Sequence, residues 1–89
     1  GVKIGDNCII NTHANIEHDV IIGNLTHVST GVMVNGDCAI GNGVFLGSNC
    51  TIRNGAKIVD DIVIGAGSFV NSSLTESGFY KGIPAKKVL

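Results

Sequence analysis

The sequence predicts an all-β protein built as a parallel β-helix of hexapeptide repeats, and three observations predict it. Aliphatic residues recur at every sixth position, Gly, Asn and Asp recur three places after them, and no insertion interrupts the series from Ile4 to Val70. A fixed six-residue unit supplies one short strand and one corner. Three such units close a triangular coil, so a residue lies directly above the one eighteen positions earlier.

The strands come first. In steps of six the sequence reads Ile4, Ile10, Ile16, Ile22, Val28, Val34, Ile40, Leu46, Ile52, Ile58, Ile64 and Val70. Aliphatics at all twelve places would arise by chance with odds on the order of one in a million. The position four further on is small or β-branched in Cys8, Ala14, Val20, Thr26, Val32, Cys38, Val44, Cys50, Ala56, Ile62 and Ser68, with Leu74 the large exception. The first set fills the axis and the second sits where a corner leaves little room. Corners come next: Asn7, Gly31, Asp37, Gly43, Asn49, Gly55, Asp61 and Gly67 are residue types that tolerate positive φ. An antiparallel sandwich would instead alternate with period two and vary its loops. Four coils at about 4.8 Å each predict a prism roughly 19 Å tall.

The repeat occupies residues 1–75 and the segment 76–89 reads as a C-terminal cap leaving the prism. It holds the single proline, Pro84, and three of the six basic residues, Lys81, Lys86 and Lys87. Repeat sequence begins almost at Gly1, so upstream coils or a preceding domain are expected. The three cysteines, Cys8, Cys38 and Cys50, occupy the inward small slot on three different faces. They predict buried packing rather than a disulfide or a thiolate metal site.

Composition narrows the function. A net charge of −1 and 4% aromatics leave no basic or aromatic footprint for nucleic acid. No apolar run reaches membrane-spanning length and no signal-peptide pattern opens the chain, so a cytoplasmic location without membrane attachment is expected. The histidines carry the chemistry. His13 falls on a turn position, which a structural role explains. His18 occupies a corner and is followed by Asp19, the minimal general-base unit, since a carboxylate fixes the imidazole tautomer and stabilises the imidazolium. Gly36 lies one coil above His18, about 4.8 Å away, and its amide could hold an oxyanion. His27 is half a coil on, in a slot that Phe45 and Val63 fill in later coils. The two imidazoles therefore meet only if a neighbouring prism faces the corner, which predicts a homotrimer with a shared groove.

From about Asn11 to the end, most specifically at Ile16 through Ser29 and the closing Lys81-Gly-Ile-Pro-Ala-Lys-Lys, the sequence resembles the sialic-acid O-acetyltransferase-like family of hexapeptide acyltransferases, which includes bacterial UDP-amino-sugar N-acetyltransferases. The resemblance implies a left-handed helix, although parallel crossovers are ordinarily right-handed. It implies acetyl-CoA as co-substrate, a sugar or nucleotide-sugar acceptor, and direct transfer without an acetyl-enzyme. His18 matches the catalytic base, Asp19 the acidic residue beside it, and Gly36 the oxyanion amide. His27, Ser48 and Ala66 match positions at the acetyl-CoA site, and Lys81 and Lys86 are candidates for its phosphates. The family's N-terminal sugar-nucleotide domain has no counterpart in this sequence. Two other readings compete. A γ-type carbonic anhydrase would use His13 and His18 as zinc ligands, but lacks its third ligand here. A non-catalytic trimerisation scaffold would use none of these residues.

Overall fold

The computed structural model describes residues 1–88 and is all β. Strands two or three residues long alternate with tight corners to build three walls. The first wall stacks β1 (Lys3–Ile4), β4 (Ile21–Ile22), β7 (Ala39–Ile40) and β10 (Lys57–Ile58) in parallel. The second stacks β2 (Ile9–Ile10), β5 (His27–Val28), β8 (Phe45–Leu46) and β11 (Ile62–Ile64), and the third β3 (Asn15–Ile16), β6 (Met33–Val34), β9 (Thr51–Ile52) and β12 (Phe69–Val70). Register follows the eighteen-residue coil throughout, as in Ile10 beside Val28 and Val28 beside Leu46. Each strand is too short to hold itself. Its amides pair with the next coil up, for example Lys3 N–H to Val20 C=O at 2.9 Å and Gly23 N–H to Ile40 C=O at 2.8 Å.

The hexad aliphatics from Ile22 to Val70 are buried along the axis, with Leu46, Ile52 and Ile64 fully enclosed. Each contributes about 1.5–3 kcal/mol on burial. Ile4 and Ile10 are 44% and 39% exposed because no coil lies beneath them. The small slot is inward as expected, from Val20 to Ser68. Asn7, Asp37, Asn49, Asp61 and the corner glycines all adopt positive φ, and so do His13, Asp19 and Leu25.

The C-terminal segment stays on the prism. β13 (Gly78–Gly82) stacks in parallel on β11, and β14 (Ala85–Lys87) turns back antiparallel on it. These two strands extend the second wall past the fourth coil, and the whole molecule measures 33 × 21 × 21 Å. Leu74 and Tyr80 close the top of the core, with the Tyr80 hydroxyl donating to Glu76 C=O at 2.8 Å.

Candidate active site

The three corners differ, and the difference makes a site. At the corner after the first wall, Asp6, Asn24, Asn42 and Asp60 form a vertical ladder. The side-chain oxygens of Asn24, Asn42 and Asp60 each accept the N–H of the residue one coil below, at 2.7 Å for Asp6 to Asn24, Asn24 to Asn42 and Asn42 to Asp60. The amides of Asp6, Asn24 and Asn42 are satisfied in this way. At the other two corners the equivalent column lacks such a ladder. The N–H groups of Gly36, Ser48 and Ala66 donate to no acceptor among the described residues.

His18 stands at the third corner, between β3 and β4, with its side chain 64% exposed. Its Nδ1 lies 3.2 Å from Asp19 Oδ2. A carboxylate can only accept, so Nδ1 carries the hydrogen and Nε2 keeps its lone pair. Asp19 is held below the usual carboxylate range, first of all by this hydrogen bond. The pair is therefore an imidazole oriented by an ionised carboxylate.

Gly36 is needed above it for steric reasons. A Cβ there would meet the imidazole, with Cε1 2.6 Å away and Nε2 nearer still. The missing side chain lets the ring lie against the main chain, so Nε2 faces a buried residue whose N–H is unpaired. Unpaired buried amides are rare, because each costs about as much as a lost hydrogen bond. An amide of this kind beside a base can polarise a carbonyl and hold the oxyanion formed on attack.

Sequence reasoning left out two residues. Asp37 lies one coil above Asp19, at positive φ, with its N–H bonded to His18 C=O at 3.0 Å. Ligating atoms of His18, Asp19 and Asp37 all come within 4.8 Å of one another, the one such His/carboxylate group among the described residues. The eighteen-residue arithmetic that found Gly36 would have found Asp37 had it been applied to Asp19. Asn11 is the other. Its Nδ2 lies 3.2 Å from His27 Nε2, a diagonal reach of sixteen residues that stacking arithmetic does not flag.

His27 is apart from His18, half-buried on the outer face of the second wall. Its ring meets Phe45 edge to face at 4.8 Å. Ser48 and Ala66 share the second corner in one column, with Gly67 N–H bonded to Ser48 C=O at 2.9 Å. Lys81 continues this region upward: a Cβ on Gly65 would come 3.0 Å from Lys81 Cβ. Lys86 pairs with Lys81 across the terminal hairpin, and Lys87 is tied to Glu76 at 3.4 Å. His13 holds a second-corner turn at φ 59° and joins none of these groups. All three cysteines are free thiols.

The uninterrupted hexads, stacked into a triangular coil, are the feature this chain shares with known proteins. The family described as bacterial transferase hexapeptide (six repeats) matches residues 1–36, and that described as hexapeptide repeat of succinyl-transferase matches residues 37–72. The chain belongs to the hexapeptide-repeat transferase family. Its fold is similar to the acetyltransferase domain of PglB from Neisseria gonorrhoeae FA1090 in complex with acetyl coenzyme A, at 25% identity and TM-score 0.90 over 98% of this chain and 44% of that one. The serine acetyltransferase of Neisseria gonorrhoeae is similar at 30% identity and TM-score 0.91, over 99% of this chain and 38% of that one. PerB from Caulobacter crescentus, in complex with CoA and GDP-perosamine, is similar at 26% identity and TM-score 0.74, over 96% and 50%. The chain thus spans half or less of the length of these structures.

Proposed function

We propose that the chain is the coenzyme-binding catalytic domain of a homotrimeric acetyltransferase, moving acetyl directly from acetyl-CoA to an amine or hydroxyl of a sugar or nucleotide sugar. The observation that carries this reading is the His18–Asp19 pair lying beneath the unpaired Gly36 amide. Neighbours bound to acetyl coenzyme A and to CoA with a nucleotide amino sugar support it. So does the resemblance to the sialic-acid O-acetyltransferase-like family.

In this mechanism His18 Nε2 takes the acceptor's proton as the acceptor attacks the thioester carbonyl. Asp19 keeps the imidazole in the required tautomer and stabilises the imidazolium. The Gly36 N–H holds the oxyanion, and on its collapse the C–S bond breaks and the imidazolium returns the proton to the thiolate. The buried thiols of Cys38 and Cys50 take no part. The pantetheine arm runs along the column of Ser48 and Ala66, whose free N–H groups serve its amides. Lys81 and Lys86 meet the phosphates, and His27 lines the coenzyme groove from the adjacent protomer. The serine acetyltransferase likeness favours a second reading of the acceptor, an amino-acid hydroxyl.

His18→Ala in the full-length enzyme tests the mechanism. Removal of a general base lowers kcat by about 10²–10⁴-fold, while coenzyme A affinity measured by calorimetry stays the same. Undiminished turnover, or an acetylated enzyme trapped on the wild type, would refute direct transfer from this base. Asp19→Asn lowers kcat less and shifts the pH profile, since it alters the imidazole rather than removing it.

A further inference from the structure

Leu25 costs the isolated prism twice. It holds the turn at the first corner, between β4 and β5, with φ at 57°. Every other positive-φ turn in the coils is made by Asn, Asp, His or Gly, whereas a bulky aliphatic residue is strained there. Its N–H is bonded to Asp6 C=O at 2.9 Å, which pins the turn. The side chain gains no burial in return, being 65% exposed. Strain joined to exposed apolar surface points to a contact outside the prism.

The other two corners say which contact. His18 and Gly36 stand at the third corner, Ser48 and Ala66 at the second, and His27 on the second wall. Three prisms about a threefold axis each turn one corner inward. With the second corner inward, Ser48 and Ala66 are closed off; with the third inward, His18 is. Only with the first corner inward does the first wall of one prism face the second wall of the next. His18 of one then opens onto Ser48, Ala66 and His27 of the other. Two observations agree. The Asp6, Asn24 and Asn42 amides are satisfied within the first corner, so dry contact costs it little, while Gly36, Ser48 and Ala66 keep unpaired N–H groups. At outward strand positions, the exposed large apolar side chains are Ile21 on the first wall and Ile9, Phe45, Val63 and Phe79 on the second, with none on the third.

We infer that Leu25 is a positioning residue of the acyl-transfer site. With its two symmetry copies it packs on the threefold axis and sets the width of the groove in which His18 of one protomer meets His27 of the next. This rests on the reading of a coenzyme groove shared between protomers. The leucine touches no reacting atom, and its strain is offset by apolar surface that only assembly buries.

Substitutions at residue 25 of the full-length enzyme test it. Asn makes the same turn one coil below, at Asn7 with φ 55°, so Leu25→Asn keeps the coil and its circular dichroism spectrum. It should raise the protein concentration at which the trimer dissociates by about tenfold or more, as loss of a central apolar contact does. Turnover then falls in dilute enzyme and recovers in concentrated enzyme, whereas His18→Ala stays trimeric and slow at every concentration. Leu25→Met, apolar and equally strained, restores assembly and turnover. A short bismaleimide joins Leu25→Cys into a covalent dimer, and leaves the wild type and Asn15→Cys, on the third wall, unjoined.

A trimer undisturbed by Leu25→Asn, or Leu25→Cys left unjoined, would take Leu25 off the axis and leave the His18 mechanism standing. Turnover lost in Leu25→Asn while it is still a trimer would place the leucine at the acceptor and overturn the inference too. Joining through Asn15→Cys would put the third wall inside the assembly and refute both the axis and the shared groove. So would a wild type that is monomeric and active.

Discussion

His18 can reach its place only because residue 36 lacks a side chain. A methyl group at Gly36 would occupy the space of the ring, and its φ is ordinary, so backbone strain does not enter. Gly36→Ala should leave the fold intact and turn the imidazole outward, away from the unpaired amide. Activity should fall by about 10²-fold or more, since base and oxyanion donor are both misplaced, with the circular dichroism spectrum unchanged. Activity within twofold of wild type would remove Gly36 from the site. Residue-scale features were legible where they reduce to stacking. His18, Asp19 and Gly36 follow from adjacency and the coil length. Asn11 does not, because a side chain leaning across the wall to His27 depends on rotamers that no period encodes. Cys50 offers a pH test of its buried slot. Burial pushes its thiol up to about 12. An unfolded thiol ionises near 8.5, so between those values the unfolded chain loses a proton that the folded chain keeps. Stability is fully present below the lower value and falls as pH rises toward 12. Cys50→Ala should flatten that decline in denaturation midpoints measured from pH 8 to 11.

Among the elements, the first corner shows what the other two give up. Asn42 accepts the Asn24 N–H and donates its own N–H to Asp60, both at 2.7 Å. Asn42→Ala leaves the Asn24 amide without its protein partner on an exposed corner, at a cost of about 1 kcal/mol. Leu46, fully enclosed on the axis, is another matter. Leu46→Ala should cost about 2–5 kcal/mol, because the stacked coils cannot collapse into the cavity. Urea denaturation of the two variants checks the ranking, and a larger loss in Asn42→Ala would reverse this account of what holds the coils. Element positions were legible from period six alone. The terminal hairpin was not, because the period lapses after Thr75 and nothing in spacing says that Gly78–Gly82 would continue the second wall.

At the scale of the whole molecule, the three walls are unequal on their outer faces. The second presents Ile9, His27, Phe45, Val63 and Phe79 in one ladder running the full height. Ile9, Phe45, Val63 and Phe79 are all exposed. The first wall instead ends in Lys3 and Lys57, and the third carries Asn15 and Thr51. This ladder, broken only by His27, is the longest apolar stripe on the three walls, and an exposed apolar stripe is what an assembly surface requires. Three prisms packed through it would bring the corner of one against the second wall of the next, which is how His18 and His27, separated within a protomer, could line one groove. Val63→Lys places a charge in the middle of the stripe, on a side chain that points outward and supports no core contact. The variant should fold with an unchanged circular dichroism spectrum, sediment as a monomer where the wild type sediments as a trimer, and lose coenzyme A affinity with the groove. A wild type that is monomeric at micromolar concentration would end the trimer proposal. A monomeric Val63→Lys that still binds coenzyme A normally would keep the assembly but move the coenzyme off the shared groove and onto a single prism.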